Sequence, residues 1–320
     1  MRVPSAPAGG IRPCGDSMYE KSVLGSGLRV VTASMPHTRS VCLGVYVGAG
    51  SRHESDGEAG VSHFIEHLSF KGTARRPTAK EVSEAIEGVG GIMNAATFRE
   101  RTSYWCKVAK PHFGLALDLL SDMLLHSRFE PKEMEKERQV IIEELAMITD
   151  APDQRVGVLI DETLWPDQPL GREIAGSKET VSALSRDALL AYRQHQYNAA
   201  NTVVAVAGDI QHGPVVEAIA AALGDLAPGT PPPWAPSSDN QQSPRVRVEY
   251  KRTEQAHLCL ALPGVSLNHP GRYALDLMSV VLGEGMSSRL FLELREKRAL
   301  CYDIHSYVSN FLDTGAFAVY

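Results

Sequence analysis

The sequence predicts an α+β fold in two successive units, and three observations carry that expectation. Short Val-rich segments bounded by Gly and Pro are interleaved with segments whose apolar residues recur at helical spacing. A stretch crowded with proline, 227–244, interrupts the pattern. Beyond it, strand-like and amphipathic-helix signals begin again.

In chain order, 27–32 and 41–47 read as strands. A helix follows over 59–69, where Val61, Phe64, Ile65 and Leu68 share one side. Thr78-x-x-Glu81 is a capping box opening a second helix with Val82, Ala85, Ile86 and Val89, closed by Gly90-Gly91. Strands are expected over 92–98 and 102–109, then helices over 112–125 and 131–148, the latter with Pro131 in its first turn. A helix over 186–195, a strand over 202–207 and a helix over 215–223 complete the first unit. After the linker, 257–262 resembles the strand at 41–47, and 273–282 is a new amphipathic helix. The expected domains are therefore 18–226 and 245–320. A second unit equal to the first would end at about 452, so the second copy is expected to be truncated.

Composition narrows the function. The chain has 320 residues, 43% hydrophobic and 22% charged, which suits a folded protein rather than a disordered one. Its net charge is −6, with no basic block beyond pairs such as Arg75-Arg76, so nucleic acid is excluded as principal partner. Five cysteines, odd in number and without a CxxC, indicate neither a disulfide framework nor a cysteine zinc site. Apolar runs such as Val203 to Ala207 are too short to span a bilayer, and no membrane partner is expected. Residues 1–17 lack the apolar core of a secretory signal; a transit peptide and an extension upstream of a start at Met18 are the alternatives. A soluble cytoplasmic protein is expected, or a mitochondrial-matrix one in a eukaryote.

The sharpest chemical signal is His63-x-x-Glu66-His67. Residues four apart share a helix face, so both imidazoles can reach one metal ion. Taking Val61 as origin, the apolar stripe clusters within about 60°, while Glu66, His63 and His67 fall near about 140°, 200° and 240°. The constellation is turned away from the core stripe; a merely solvated polar face is the bland alternative. A catalytic zinc site needs a third protein ligand, and the helix over 131–148 offers carboxylates. Glu137 and Glu144, two turns apart, fall at the edge of the stripe formed by Met134, Ile141, Leu145 and Ile148. There a carboxylate needs a metal, a hydrogen bond or a counter-ion such as Arg138. Spacing alone does not choose Glu144 over Glu137.

Several motifs together resemble the pitrilysin/insulinase-type metallopeptidases. They are His63-x-x-Glu66-His67, Phe70-Lys71-Gly72-Thr73, Asn94-Ala95, Glu137-x6-Glu144, Pro169-Leu170-Gly171, Ala205-Val206-Ala207-Gly208-Asp209 and Ser287-Ser288-Arg289-Leu290-Phe291. The nearest likeness is to the mitochondrial-processing-peptidase-like branch and its bacterial relatives. HxxEH inverts the commoner HExxH zinc signature. The resemblance implies that His63, His67 and Glu144 bind one zinc ion, that Glu66 is the general base, and that Glu137 is a supporting carboxylate. It also implies that Asn94 and Ala95 lie on a strand pairing with extended substrate, a β-augmentation. Arg295 and Tyr302 match the family's Arg/Tyr pair, which closes over the site from the opposite half. The implied fold is a sheet covered by helices on one side, duplicated into a clam-like chamber, with no HxxEH in the second half. The implied activity is zinc-dependent endopeptidase action on peptides or unfolded, presequence-like segments. A non-catalytic partner subunit is the competing class, and a homodimer or a heterodimer with a related subunit is the implied assembly. With the second copy incomplete, this chain alone is expected to turn over slowly and to expose an unpaired sheet edge.

Overall fold

A computed structural model describes residues 18–238 and 241–320. The alternatives for residues 1–17, together with Cys14, lie outside the described residues, as do positions 239 and 240 of the expected linker.

Among the described residues, six strands join into one mixed sheet. These are β1 (Glu20–Val23), β2 (Arg29–Ser34), β3 (Ser40–Val47), β4 (Ile92–Thr97), β5 (Thr102–Ala109) and β6 (Thr202–Gly208), in spatial order β1-β2-β6-β3-β5-β4. β2 and β6 pair in parallel and the other neighbours antiparallel. Alternation sorts the faces: β3 buries Val41, Leu43, Val45 and Val47 and exposes Cys42 and Tyr46. Register places Leu43 between Val206 and Cys106, so one face becomes a continuous apolar layer.

Against that layer pack α1 (Val61–Ser69), α2 (Ala79–Glu87) and α3 (Phe113–His126). Their stripes Val61/Phe64/Ile65/Leu68, Val82/Ile86 and Leu117/Leu120/Leu124 belong to the same buried cluster. Each such side chain contributes roughly 1.5–3 kcal/mol on burial. The remaining helices of this unit are α4 (Pro131–Asp150), α5 (Pro152–Leu164), α6 (Lys178–Ala183), α7 (Arg186–Gln196) and α8 (His212–Ala222). Helices thus cover one face of the sheet.

Some elements escape periodicity. β1 reads Glu-Lys-Ser-Val and is a strand only through its ladder with β2. α5 has no fully buried residue, so no stripe announces it, and Pro152 opens it at the first turn rather than merely ending α4. α6 is one short turn and a half, held by Ser177 accepting from the Thr180 amide.

Beyond α8 no regular element occurs among the described residues before β7 (Leu260–Pro263), so the irregular stretch outruns the expected 227–244 linker. β7 pairs with β9 (Gly315–Val319), which pairs with β8 (Ser306–Asn310), all antiparallel. α9 (Arg272–Gly283) packs there, with the Ser279 and Ser306 hydroxyls 3.0 Å apart. Arg52 fastens this unit to the first. Although 1% exposed, it binds Glu100 at 2.5 Å, Asp313 at 2.7 Å and the Ala235 carbonyl at 2.9 Å, beneath the Trp234 ring. No described helix is long and apolar enough to cross a membrane, and Cys42, Cys106, Cys259 and Cys301 are free thiols.

Candidate metal centre

The site begins with how α1 starts. Gly60 caps the helix with φ +93°, a left-handed conformation in which a Cβ would sit 2.4 Å from the Ala175 carbonyl oxygen. That close approach presses the loop carrying Ile174 and Ala175 onto the helix start. The Glu54 carboxylate accepts from the Gly60 and Ser62 amides at 2.8 and 2.9 Å, supplying an anion at the positive end of α1. Burial pushes the Glu54 carboxyl up to about 6, against the opposing pull of those amides and of Arg172.

One turn along, His63 and His67 turn their Nε2 atoms toward each other at 3.2 Å, with the rings edge to face. α4 supplies the third corner: Glu144 Oε2 lies 3.9 Å from His63 Nε2 and 3.7 Å from His67 Nε2. Three ligand atoms held about 2.1 Å from a shared tetrahedral centre stand about 3.4 Å apart. The observed triangle brackets that spacing. The donor chemistry also fits. Burial, helped by the neighbouring His67, lowers His63 to about 4, leaving its imidazole neutral with a free lone pair. His67 Nδ1 lies 3.1 Å from Glu137 Oε2, an acceptor-only carboxylate, which puts the proton on Nδ1 and the lone pair on Nε2.

Sequence periodicity left Glu137 and Glu144 undecided; the structure separates them. Both face α1, but Glu144 reaches the imidazole Nε2 atoms while Glu137, deeply buried, backs His67 and pairs with Lys71 Nζ at 2.7 Å. The alternative counter-ion Arg138 is engaged elsewhere, on Glu135 and the carbonyls of Val181 and Leu184. Glu66 lies beside the triangle and accepts from Thr97 Oγ1 at 2.5 Å. Burial raises its pKa, opposed by that hydrogen bond and by His67.

His63, Glu66, Thr97, Glu144, Gln154 and Glu173 line a cleft of 420 Å³. Asn94 and Ala95 sit on β4, whose outer edge is free of a strand partner among the described residues. Arg295 and Tyr302 stack on each other, with the guanidinium 4.9 Å from the ring centre, and are not part of the cleft lining. A larger cavity of 780 Å³ shares only Glu173 with the cleft, and its Arg172 and Arg247 are already bound to Asp56 and Glu162. Sequence reading missed Lys71, Thr97 and Glu54. Lys71 stands inside a motif but its partner is 66 positions away, and no local spacing predicts such a pair.

The chain is similar to known proteins over nearly its whole length. Residues 29–178 match the family described as Insulinase (Peptidase family M16), and residues 183–320 match the Peptidase M16 inactive domain. The chain is 39% identical to an uncharacterized zinc protease of Streptomyces coelicolor, covering 96% of this chain and 68% of that one. It is 37% identical to the uncharacterized zinc protease YmxG of Bacillus subtilis, covering 95% and 73%. A solved structure of a protease from Helicobacter pylori superposes with a TM-score of 0.88 at 26% identity, covering 94% of this chain and 74% of that one. Two imidazoles from α1 and a carboxylate from α4 make a metal-competent site, on a scaffold this chain shares with a solved protease. The chain belongs to the insulinase family, peptidase family M16.

Proposed function

We propose that this chain is a zinc-dependent metalloendopeptidase acting on peptides or unfolded, presequence-like segments. One observation carries the reading: the His63–His67–Glu144 triangle beside a half-buried Glu66, in a cleft bordered by β4. His63, His67 and Glu144 would hold one zinc ion per chain, with Glu137 fixing the orientation of His67. Bound there, zinc supplies Lewis acidity that polarises a scissile carbonyl and draws the pKa of water toward neutrality. Glu66 takes the proton of the attacking water and hands it to the leaving amine, a task suited to a carboxyl whose pKa burial has raised. The free edge of β4 at Asn94 and Ala95 pairs with extended peptide backbone, which fixes register without demanding one sequence. Arg295 and Tyr302 donate to the substrate once the second unit, or a second copy or related subunit in a dimer, brings them over the cleft. The cytoplasm, or the matrix of a mitochondrion, is the compartment this reading assigns.

A peptide-library digest with and without chelator, run on wild type and Glu66→Gln, tests the proposal. Cleavage should vanish with chelator and return with zinc, and Glu66→Gln should keep its zinc while losing at least about 100-fold in kcat. Chelator-resistant cleavage, or a fully active Glu66→Gln, would overturn it. A chain that binds zinc yet cleaves nothing belongs instead with non-catalytic subunits.

A further inference from the structure

We propose that Thr97 is a positioning residue for Glu66, tethering the base to the strand whose edge receives the peptide; the inference rests on the peptidase reading above. Thr97 is the last residue of β4, three positions beyond Asn94. Alternation puts its side chain on the same side of the strand as the buried Ala95, toward α1. From there Oγ1 donates to Glu66 Oε2 at 2.5 Å. The direction of that bond is set by its surroundings. An ionised carboxylate only accepts, so the proton in the short contact is the one on Thr97 Oγ1. Thr102 Oγ1, at 3.5 Å, is too distant to compete for it and gives its own proton to the Ala49 carbonyl at 2.9 Å.

Anchoring Oε2 restricts the directions in which the Glu66 carboxylate presents its remaining lone pairs. A carboxylate on a flexible Glu side chain otherwise samples several rotamers, few of which face the His63–His67–Glu144 triangle. Thr is stiff at χ1, so the tether inherits the rigidity of the sheet. Among the described residues the hydrogen bonds of the Thr97 hydroxyl run to Glu66 and Thr102 and none to His63, His67 or Glu144, so its influence on the site runs through Glu66. Because Asn94 and Thr97 share one short strand, peptide docking on the β4 edge and the aim of the base are mechanically linked.

The test compares Thr97→Val, which keeps the shape and loses the hydroxyl, with Thr97→Ser, which keeps the hydroxyl. Kinetics, zinc affinity and crystal structures of the zinc-loaded full chain are the readouts. For Thr97→Val, kcat should fall about 10- to 100-fold, with KM and zinc affinity within about twofold of wild type. Thr97→Ser should recover to within about threefold of wild type. In the crystal structures the Glu66 carboxylate should leave its position in Thr97→Val and regain it in Thr97→Ser. Wild-type kcat in Thr97→Val, equal impairment in Thr97→Ser, or an unmoved Glu66 would each overturn the proposal. Should Thr97→Val not fold, Thr97→Ala carries the same expectations. If wild type itself cleaves nothing, the peptidase reading fails while the position of Glu66 in the variant still decides the role of Thr97.

Discussion

Lys71, Glu137 and His67 form a chain in which each oxygen of the Glu137 carboxylate meets a different partner. Glu137 Oε1 takes Lys71 Nζ at 2.7 Å and Oε2 faces His67 Nδ1 at 3.1 Å. Removing the ammonium would leave a buried carboxylate with one partner fewer and free to swing away from the imidazole it orients. Lys71→Met is expected to weaken zinc binding about 10- to 100-fold, read by competition with a chromophoric chelator, while Lys71→Arg keeps most of the affinity. Unchanged affinity in Lys71→Met would show that Glu137 needs no help to hold His67. The HxxEH residues were legible in the sequence because spacing of four on a helix fixes a shared face whatever the surroundings. Lys71 and Thr97 were not, because their partners arrive from distant segments that only the folded sheet brings close.

At the scale of elements, α1 is held at its start by Glu54 rather than by a residue of its own first turn. The folded carboxyl titrates at about 6, above its ordinary 4.5, so the native state binds more protons than the unfolded chain between those values. The sign follows: this group's stabilising contribution is complete below about 4.5 and is lost as pH rises through about 6. Relative to Glu54→Gln, wild type should lose about 2 kcal/mol between pH 4 and pH 7, measured by urea unfolding at each pH. A difference that stays flat, or grows, with pH would contradict it. Helices with a single buried stripe, such as α1 and α2, were readable from periodicity. α5, half-buried along its length and opened by a proline, was not. α4 lies between these cases. Its stripe was clear, yet choosing Glu144 over Glu137 required knowing where α1 crosses it.

Across the whole molecule, the buried guanidinium of Arg52 joins Glu100 of the first unit, Asp313 of the second and the irregular stretch at Trp234 and Ala235. Breaking such a buried cluster on one side strands the remaining charges. Arg52→Met is expected to cost about 3–5 kcal/mol and to speed proteolytic nicking between the two units. A variant with wild-type stability and an unchanged nicking rate would show that the two units hold together without it. The proline-crowded stretch, which lies between the two sheets, was legible in the sequence as irregular. This clasp was not, since Arg52 reads as an ordinary polar residue before a helix. Trp165 against Phe311, with ring centres 5.4 Å apart, gives the same contact an apolar component.

One ion shared by α1 and α4 is the centre on which the proposed activity depends. X-ray absorption at the zinc edge of the zinc-loaded chain tests it most directly. The prediction is one zinc per chain with two imidazole shells and oxygen donors at about 2.0–2.1 Å, and loss of one imidazole shell in His67→Ala. A first shell without histidine, or a zinc site unaltered in His67→Ala, would contradict it.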